Sequence, residues 1–275
     1  MNLAASRTSA RPWGRRAVRR ALISLYLVLA IGFLLTPLVV VALASVTTTS
    51  YLAVPPRGFS LRWFQAVLTS SSYMSAILTS VSLALAATVT STVIGTAAAY
   101  PLARYEFRGR AALAALVNAP LVVPGAVIGV ALLQFLTQAG WRGGYGPLLA
   151  LHVLVTVPYV VRSVLASFAN ADPLVEQAAR TLGAAPIPAF FLATLPMIVP
   201  GVVSGAIFSF IISMGEVAAT LFVLTVRQST LPVKIFSMVE FGVDPSIAAA
   251  CTMMIALTAM LLVLAARFTG FHRHM

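Results

Sequence analysis

The chain has 275 residues, of which 60% are hydrophobic and only 9% are charged. An ordinary soluble domain carries roughly 25% charged residues, so too few Lys, Glu and Asp remain here to wrap a water-soluble core of such apolarity. The net charge of +12 comes from 18 basic residues against 6 acidic ones, but the arginines bracket apolar runs and do not line one face with aromatics between them, which excludes a nucleic-acid partner.

In chain order, Arg11, Arg15, Arg16, Arg19 and Arg20 precede a charge-free run from Ala21 to Pro56. That run is too long for the apolar region of a cleaved export signal and is read as a retained first span. A helix crossing the hydrocarbon needs ~20 mainly apolar residues. Charge-free stretches of this kind predict six transmembrane helices at 21–46, 73–101, 112–137, 147–168, 197–223 and 245–267. The expected organisation is all-α and polytopic: a basic tail at 1–20, the first helix, an outer loop at 47–72, a five-helix core at 73–267 and a second tail at 268–275.

Orientation follows from the basic residues. With the N-terminus cytoplasmic, the inner segments hold Arg7, Arg11, Arg15, Arg16, Arg19, Arg20, Arg104, Arg108, Arg110, Arg162, Arg180, Arg267 and Arg273. The outer segments hold Arg57, Arg62, Arg142, Arg227 and Lys234. This positive-inside bias places both termini in the cytoplasm. Trp63 and Trp141 fall at predicted outer interfaces and Trp13 near the inner one, as interfacial aromatics do.

Within the second span, Ser91, Gly95 and Ala99 recur every fourth residue, a small-residue stripe that lets helices approach closely where lipid offers no hydrophobic drive. Pro37, Pro120 and Pro124 are expected to kink their spans, because each lacks a backbone donor and crowds the preceding turn.

The segment from 169 to 196, between the fourth and fifth spans, is the most informative. Asp172-Pro173 is a helix start, with a carboxylate cap and a proline where no hydrogen bond is lost. Leu174, Val175, Ala178 and Leu182 then share one face, and Gly183 supplies the left-handed turn that ends the helix. A second short segment runs on to Leu195-Pro196. Such a hairpin suits three places: the membrane surface, a plain connection, or a groove on a soluble partner, where Ala178 and Ala179 permit close approach.

This segment resembles the cytoplasmic coupling loop of permease subunits of binding-protein-dependent ABC importers, whose pattern is Glu-Ala-Ala, three residues, Gly, nine residues, Ile, one residue, Leu-Pro. Ala178, Ala179, Gly183, Leu195 and Pro196 fall at that spacing, while Gln177, preceded by Glu176, replaces the family's Glu and Ala193 its Ile. The likeness extends over about residues 59–267. Leu102-Ala103-Arg104-Tyr105-Glu106-Phe107 and Gly242-Val243-Asp244-Pro245 resemble the spermidine/putrescine-type branch, wording shared with the iron, thiamine and aminoethylphosphonate branches.

The resemblance implies a type I importer fold. It implies a permease pair, with a distinct homologous subunit as partner, two ATP-binding subunits that hold ATP and Mg, and an extracytoplasmic solute-binding protein. The coupling residues would be Glu176, Gln177, Ala178, Ala179, Gly183, Leu195 and Pro196, and the location a bacterial inner membrane. No cofactor is expected in this chain, and no G-x-x-x-x-G-K-[ST] phosphate loop occurs in it.

Glu216 is the one acid within a predicted span, and burying a charge at mid-bilayer costs ~2.5–3.5 kcal/mol. It is expected either to line a substrate path for a cation such as a polyamine, or to serve structurally or near the outer interface. Ser209, Ser213, Asn118 and Tyr159 are further candidates for that path, with interhelical hydrogen bonding as their alternative. His152 is placed near an outer helix end, at the interface. No nucleophile, base or cluster of metal ligands is assembled, so no catalytic or metal site is expected. A secondary transporter or channel is the rival, though ion coupling usually leaves several intramembrane acids.

Overall fold

The computed structural model describes residues 13–270 apart from 142, 226, 227 and 243. Expectations resting on residues 1–12 and 271–275, and on Arg142 and Arg227, lie outside the described residues.

Twelve α-helices occur among the described residues: α1 (Trp13–Ser45), α2 (Arg62–Thr69), α3 (Ser71–Arg104), α4 (Arg110–Asn118), α5 (Gly125–Gln138), α6 (Tyr145–Phe168), α7 (Pro173–Thr181), α8 (Pro186–Ala189), α9 (Leu195–Gly215), α10 (Thr220–Val223), α11 (Leu231–Phe241) and α12 (Pro245–Gly270). Among the described residues five helical stretches are long and apolar enough to cross a membrane, and the α4–α5 pair makes a sixth if counted as one broken span.

Four expectations are corrected. The first helix starts at Trp13, not 21, since Arg and Ala are strong helix formers and carry it out of the hydrocarbon. The third span is not one helix over 112–137. It breaks through a 3₁₀ turn at Ala119–Leu121, and α5 leaves α4 at 108°, because Pro120 and Pro124 withhold two backbone donors and their rings crowd the preceding turn. Pro37, by contrast, sits inside an unbroken α1. The fifth span ends at Gly215 instead of 223, and the short α10 follows. Finally, the predicted loops contain α2 and α11. The predicted outer loop is further closed by an antiparallel bridge between Thr47 and Phe59 and by Trp63 Nε1 donating to Thr47 O at 2.9 Å.

The bundle is built around α6, which packs against α3 and α9. At about 1.5 Å per residue, the 34 residues of α3 reach about 51 Å, well beyond a hydrocarbon layer of about 30 Å. Three apolar clusters are strung along it: Ala99 and Leu102 with Val160, Val164 and Ile198; Leu83 with Leu148, Leu151 and Val155; and Tyr73 and Ala76 with Leu231 and Ala249. The stripe read from sequence is buried as expected, with Ser91 and Ala99 fully enclosed. A Cβ on Gly95 would lie 2.7 Å from Val160 Cβ, and one on Gly205 of α9 would lie 2.9 Å from Val160 Cα. Helix α1, by contrast, packs on α12 and exposes nearly every large side chain from Val18 to Val40.

Gly205→Val is therefore expected to cost about 1–3 kcal/mol, the usual penalty for overpacking. Gly32→Val on α1, where a Cβ meets nothing within 4 Å, should be near neutral. Thermal denaturation of the two variants in detergent checks the contrast.

Candidate functional site

The hairpin between α6 and α9 forms as its residues dictate. Asp172 Oδ1 accepts from Leu174 N at 2.8 Å and Pro173 occupies the first turn, so α7 begins capped. At its other end Ala184 N donates to Ala179 O at 3.1 Å and Gly183 N to Arg180 O at 3.0 Å, the paired bonds of a Schellman turn. Gly183 has φ +94°, and nothing lies within 4 Å of where a Cβ would sit, so glycine is required there by conformation and not by space. After α8 the helix widens into a π turn at Phe190–Thr194, directly before Pro196, whose ring crowds the preceding turn and whose nitrogen donates nothing.

The two faces of α7 differ sharply. Leu174, Val175, Ala178 and Leu182 are all exposed, as is Gln177, and Ile187, Phe191 and Leu192 extend the uncovered apolar surface along the second arm. Ala179 and Leu195 are half-buried, and Pro196 is exposed in the first turn of α9. Glu176 is turned inward and only 7% exposed. Its Oε1 accepts from the Tyr100 hydroxyl, its Oε2 accepts from Thr194 Oγ1 at 2.6 Å, and Arg104 Nε lies 3.6 Å from Oε2. The Arg104 guanidinium rests 5.2 Å from the Phe168 ring centroid, and the Tyr100 ring meets Phe190 edge-on at 5.1 Å. The ends of α3 and α6, helix α7 and the π turn thus converge on one carboxylate. Sequence reasoning alone does not single out Tyr100, Arg104 and Thr194 as site residues, although Tyr100 and Arg104, four residues apart on a helix, are predictable neighbours.

The polar groups expected along a path do not gather at one place. His152 is enclosed by the bundle: it is 1% exposed, with Nδ1 2.7 Å from Ser213 Oγ and Nε2 3.2 Å from Thr220 Oγ1. Ser91 Oγ lies 2.6 Å from Thr156 Oγ1, which donates to His152 O, so the chain of hydroxyls joins α3, α6 and α9. Ser209 is buried one turn before Ser213. Asn118 donates to Ala114 O at 2.7 Å and, with Arg162, Leu121 and Leu165, lines a cavity of about 490 Å³ beside the α4–α5 break. Tyr159 is half-buried on α6.

Glu216 lies just past the end of α9, where its Oε1 accepts from Ala219 N at 2.8 Å. The same oxygen sits beside the first residue of α5, 3.7 Å from where a Gly125 Cβ would be, and a helix start favours negative charge. The Ala219 carbonyl in turn packs against Gly129. The acid thus ties the 216–219 turn to the broken span. Glu216→Gln keeps an acceptor for Ala219 N and is expected to stay within about 1 kcal/mol of the parent, whereas Glu216→Ala should lose about 1–3 kcal/mol by orphaning that donor. Detergent denaturation of both variants measures the difference.

Residues 91–275 match the family described as binding-protein-dependent transport system inner membrane component. The spermidine/putrescine transport system permease protein PotC of Haemophilus influenzae is 32% identical over 243 residues, covering 88% of this chain and 94% of that one. The putrescine transport system permease protein PotI of Escherichia coli is 34% identical over 236 residues, covering 83% and 84%. The molybdenum transport system permease protein ModB of Mycobacterium bovis is 33% identical over 243 residues, covering 82% and 91%. In structure, the chain resembles a bacterial ABC transporter that imports alginate, with a TM-score of 0.75 at 14% identity over 96% of this chain and 99% of that one. It also resembles the inward-facing MetNI methionine ABC transporter, with a TM-score of 0.57 at 19% identity over 73% and 98%. The chain belongs to the family of binding-protein-dependent transport system inner membrane components, as a membrane-spanning permease subunit of an ABC importer.

Proposed function

We propose that this permease pairs in the membrane with a distinct, homologous permease subunit and that residues 169–196 dock on an ATP-binding subunit, which holds ATP and Mg. An extracytoplasmic solute-binding protein delivers the solute. Closure of the two ATP-binding subunits pushes the docked hairpins and switches the spans between inward-open and outward-open arrangements. The basic residues orient both termini to the cytoplasm, on the side where α7 lies.

One observation carries the reading: α7 leaves its apolar face, Leu174, Val175 and Leu182, uncovered by its own chain and turns its acid inward. An amphipathic helix in solvent does the reverse, and a helix offered to a groove on a partner does this. The ATP-independent alternative has little support, since Glu216 is engaged by a backbone N–H and the start of α5.

For the solute we propose a small polyamine, from the names of two relatives at 32% and 34% identity. Molybdenum is the rival, from a relative at 33%. Uptake of labelled putrescine, spermidine and molybdate by proteoliposomes holding both permeases, the ATP-binding subunits and each candidate binding protein decides between them. The expected result is ATP-dependent putrescine or spermidine uptake, and uptake without the ATP-binding subunits would overturn the proposal. In the same assay Gly183→Val should lower uptake at least tenfold with membrane insertion intact, because β-branching opposes a left-handed residue. Gly183→Asn, which tolerates that region, should retain a substantial part.

A further inference from the structure

We infer that Glu176 is a positioning residue for force transmission: a clamp inside the permease that fixes the hairpin to the ends of α3 and α9, and not a contact to the ATP-binding subunit. This inference rests on the docking of residues 169–196 proposed above and deepens it.

A nine-residue helix is too short to hold its shape alone. Helix α7 joins the bundle through the turns at 169–172 and 182–185. A push on Leu174 or Leu182 across such turns would swing the helix on them and leave the spans where they are. Something must make α7 move as one body with the spans, and it must resist sliding as well as separation. Apolar packing is non-directional, whereas a desolvated, hydrogen-bonded carboxylate has fixed geometry.

Glu176 is that group. Both oxygens accept from hydroxyls, one on the last turn of α3 (Tyr100) and one on the π turn that runs into α9 (Thr194). Arg104, one turn beyond Tyr100, adds its charge at 3.6 Å, beyond hydrogen-bond length. The carboxylate therefore bridges α7 to two spans, the same two that pack around α6. Gln177, next in sequence, is exposed and remains available to the partner. The π turn fits this role, since it sits at the joint and its last residue, Thr194, is fully buried with its hydroxyl on Glu176.

The test uses the assembled importer in proteoliposomes, with ATP hydrolysis and solute uptake measured together, and compares Glu176→Ala, Glu176→Gln, Thr194→Val, the Glu176→Ala/Thr194→Val pair and Leu182→Asp. Glu176→Ala and Thr194→Val are expected to retain the ATP-binding subunit through purification while solute moved per ATP falls at least fivefold. Glu176→Gln, which keeps an acceptor for one hydroxyl, should fall between them and the parent. The pair should be no worse than Glu176→Ala alone, because both lesions break one joint. Leu182→Asp should release the ATP-binding subunit. Release by Glu176→Ala to the same degree would make the carboxylate a docking contact and overturn the inference, as would an unchanged ratio of uptake to hydrolysis. If Glu176→Ala does not assemble, Thr194→Val, a near-isosteric loss of one hydroxyl, decides the same question. Retention by Leu182→Asp would instead sink the docking proposal beneath it.

Discussion

Hydrocarbon gives packed helices no hydrophobic reward, since lipid tails are as apolar as the side chains they replace. What holds this bundle is close approach at glycines, among them Gly201 of α9 against Ser163 and Ser167 of α6 and the pair that flanks Val160. Val160 of α6 is fully buried, with Gly95 of α3 on one side and Gly205 of α9 on the other, each so near that a single methyl would collide. Because the three long helices meet there through small residues, dispersion between backbones replaces the missing solvent drive. The clusters at Leu102, Leu83 and Tyr73 lie along the same α3.

The same solvent dictates how polar groups behave. Away from water a hydroxyl or imidazole is best placed against a partner within the protein, and for one series the partners lie on neighbouring helices. Ser91, Thr156, His152, Ser213 and Thr220 form a connected series across α3, α6, α9 and α10. Glu216 obeys the same rule beside the start of α5. These contacts give the groups concerned a packing role, whereas the hydroxyls of Thr88, Thr92, Thr96 and Ser209 are buried without a hydrogen-bond partner among the described residues.

This explains which features are legible in the sequence. Charge-free run length finds the spans, because the insertion cost of a charge is local and additive along the chain. The Ser91-Gly95-Ala99 stripe predicts a contact face, and Asp172-Pro173 and Gly183 predict the bounds of α7 to within a residue or two, because caps and turns are set by neighbours in sequence. Asp244 and Pro245 start α12 by the same device. The 108° turn between α4 and α5 is visible only as a pair of prolines, since a proline fixes that a helix is disturbed but not how far. The burial of His152 escapes a local reading for a related reason: its partners, Ser213 and Thr220, lie more than sixty residues away, and no local pattern encodes that. Glu176 belongs to the same class. Its place on an otherwise exposed helix suggests an outward carboxylate, and only the return of the chain through Thr194 and the overlong α3 turns that carboxylate inward.

The length of α3 completes the mechanical argument. A helix made only to cross a bilayer has no use for the last turns of its 34 residues, yet those turns carry Tyr100 and Arg104, the two groups that reach α7. Helix α9 is preceded by the π turn that carries Thr194. Two helices thus meet one carboxylate, while α1 packs along its flank against α12 and leaves most of its large side chains exposed. Contact of both helices with the hairpin through one carboxylate is what a lever requires and what simple membrane crossing does not.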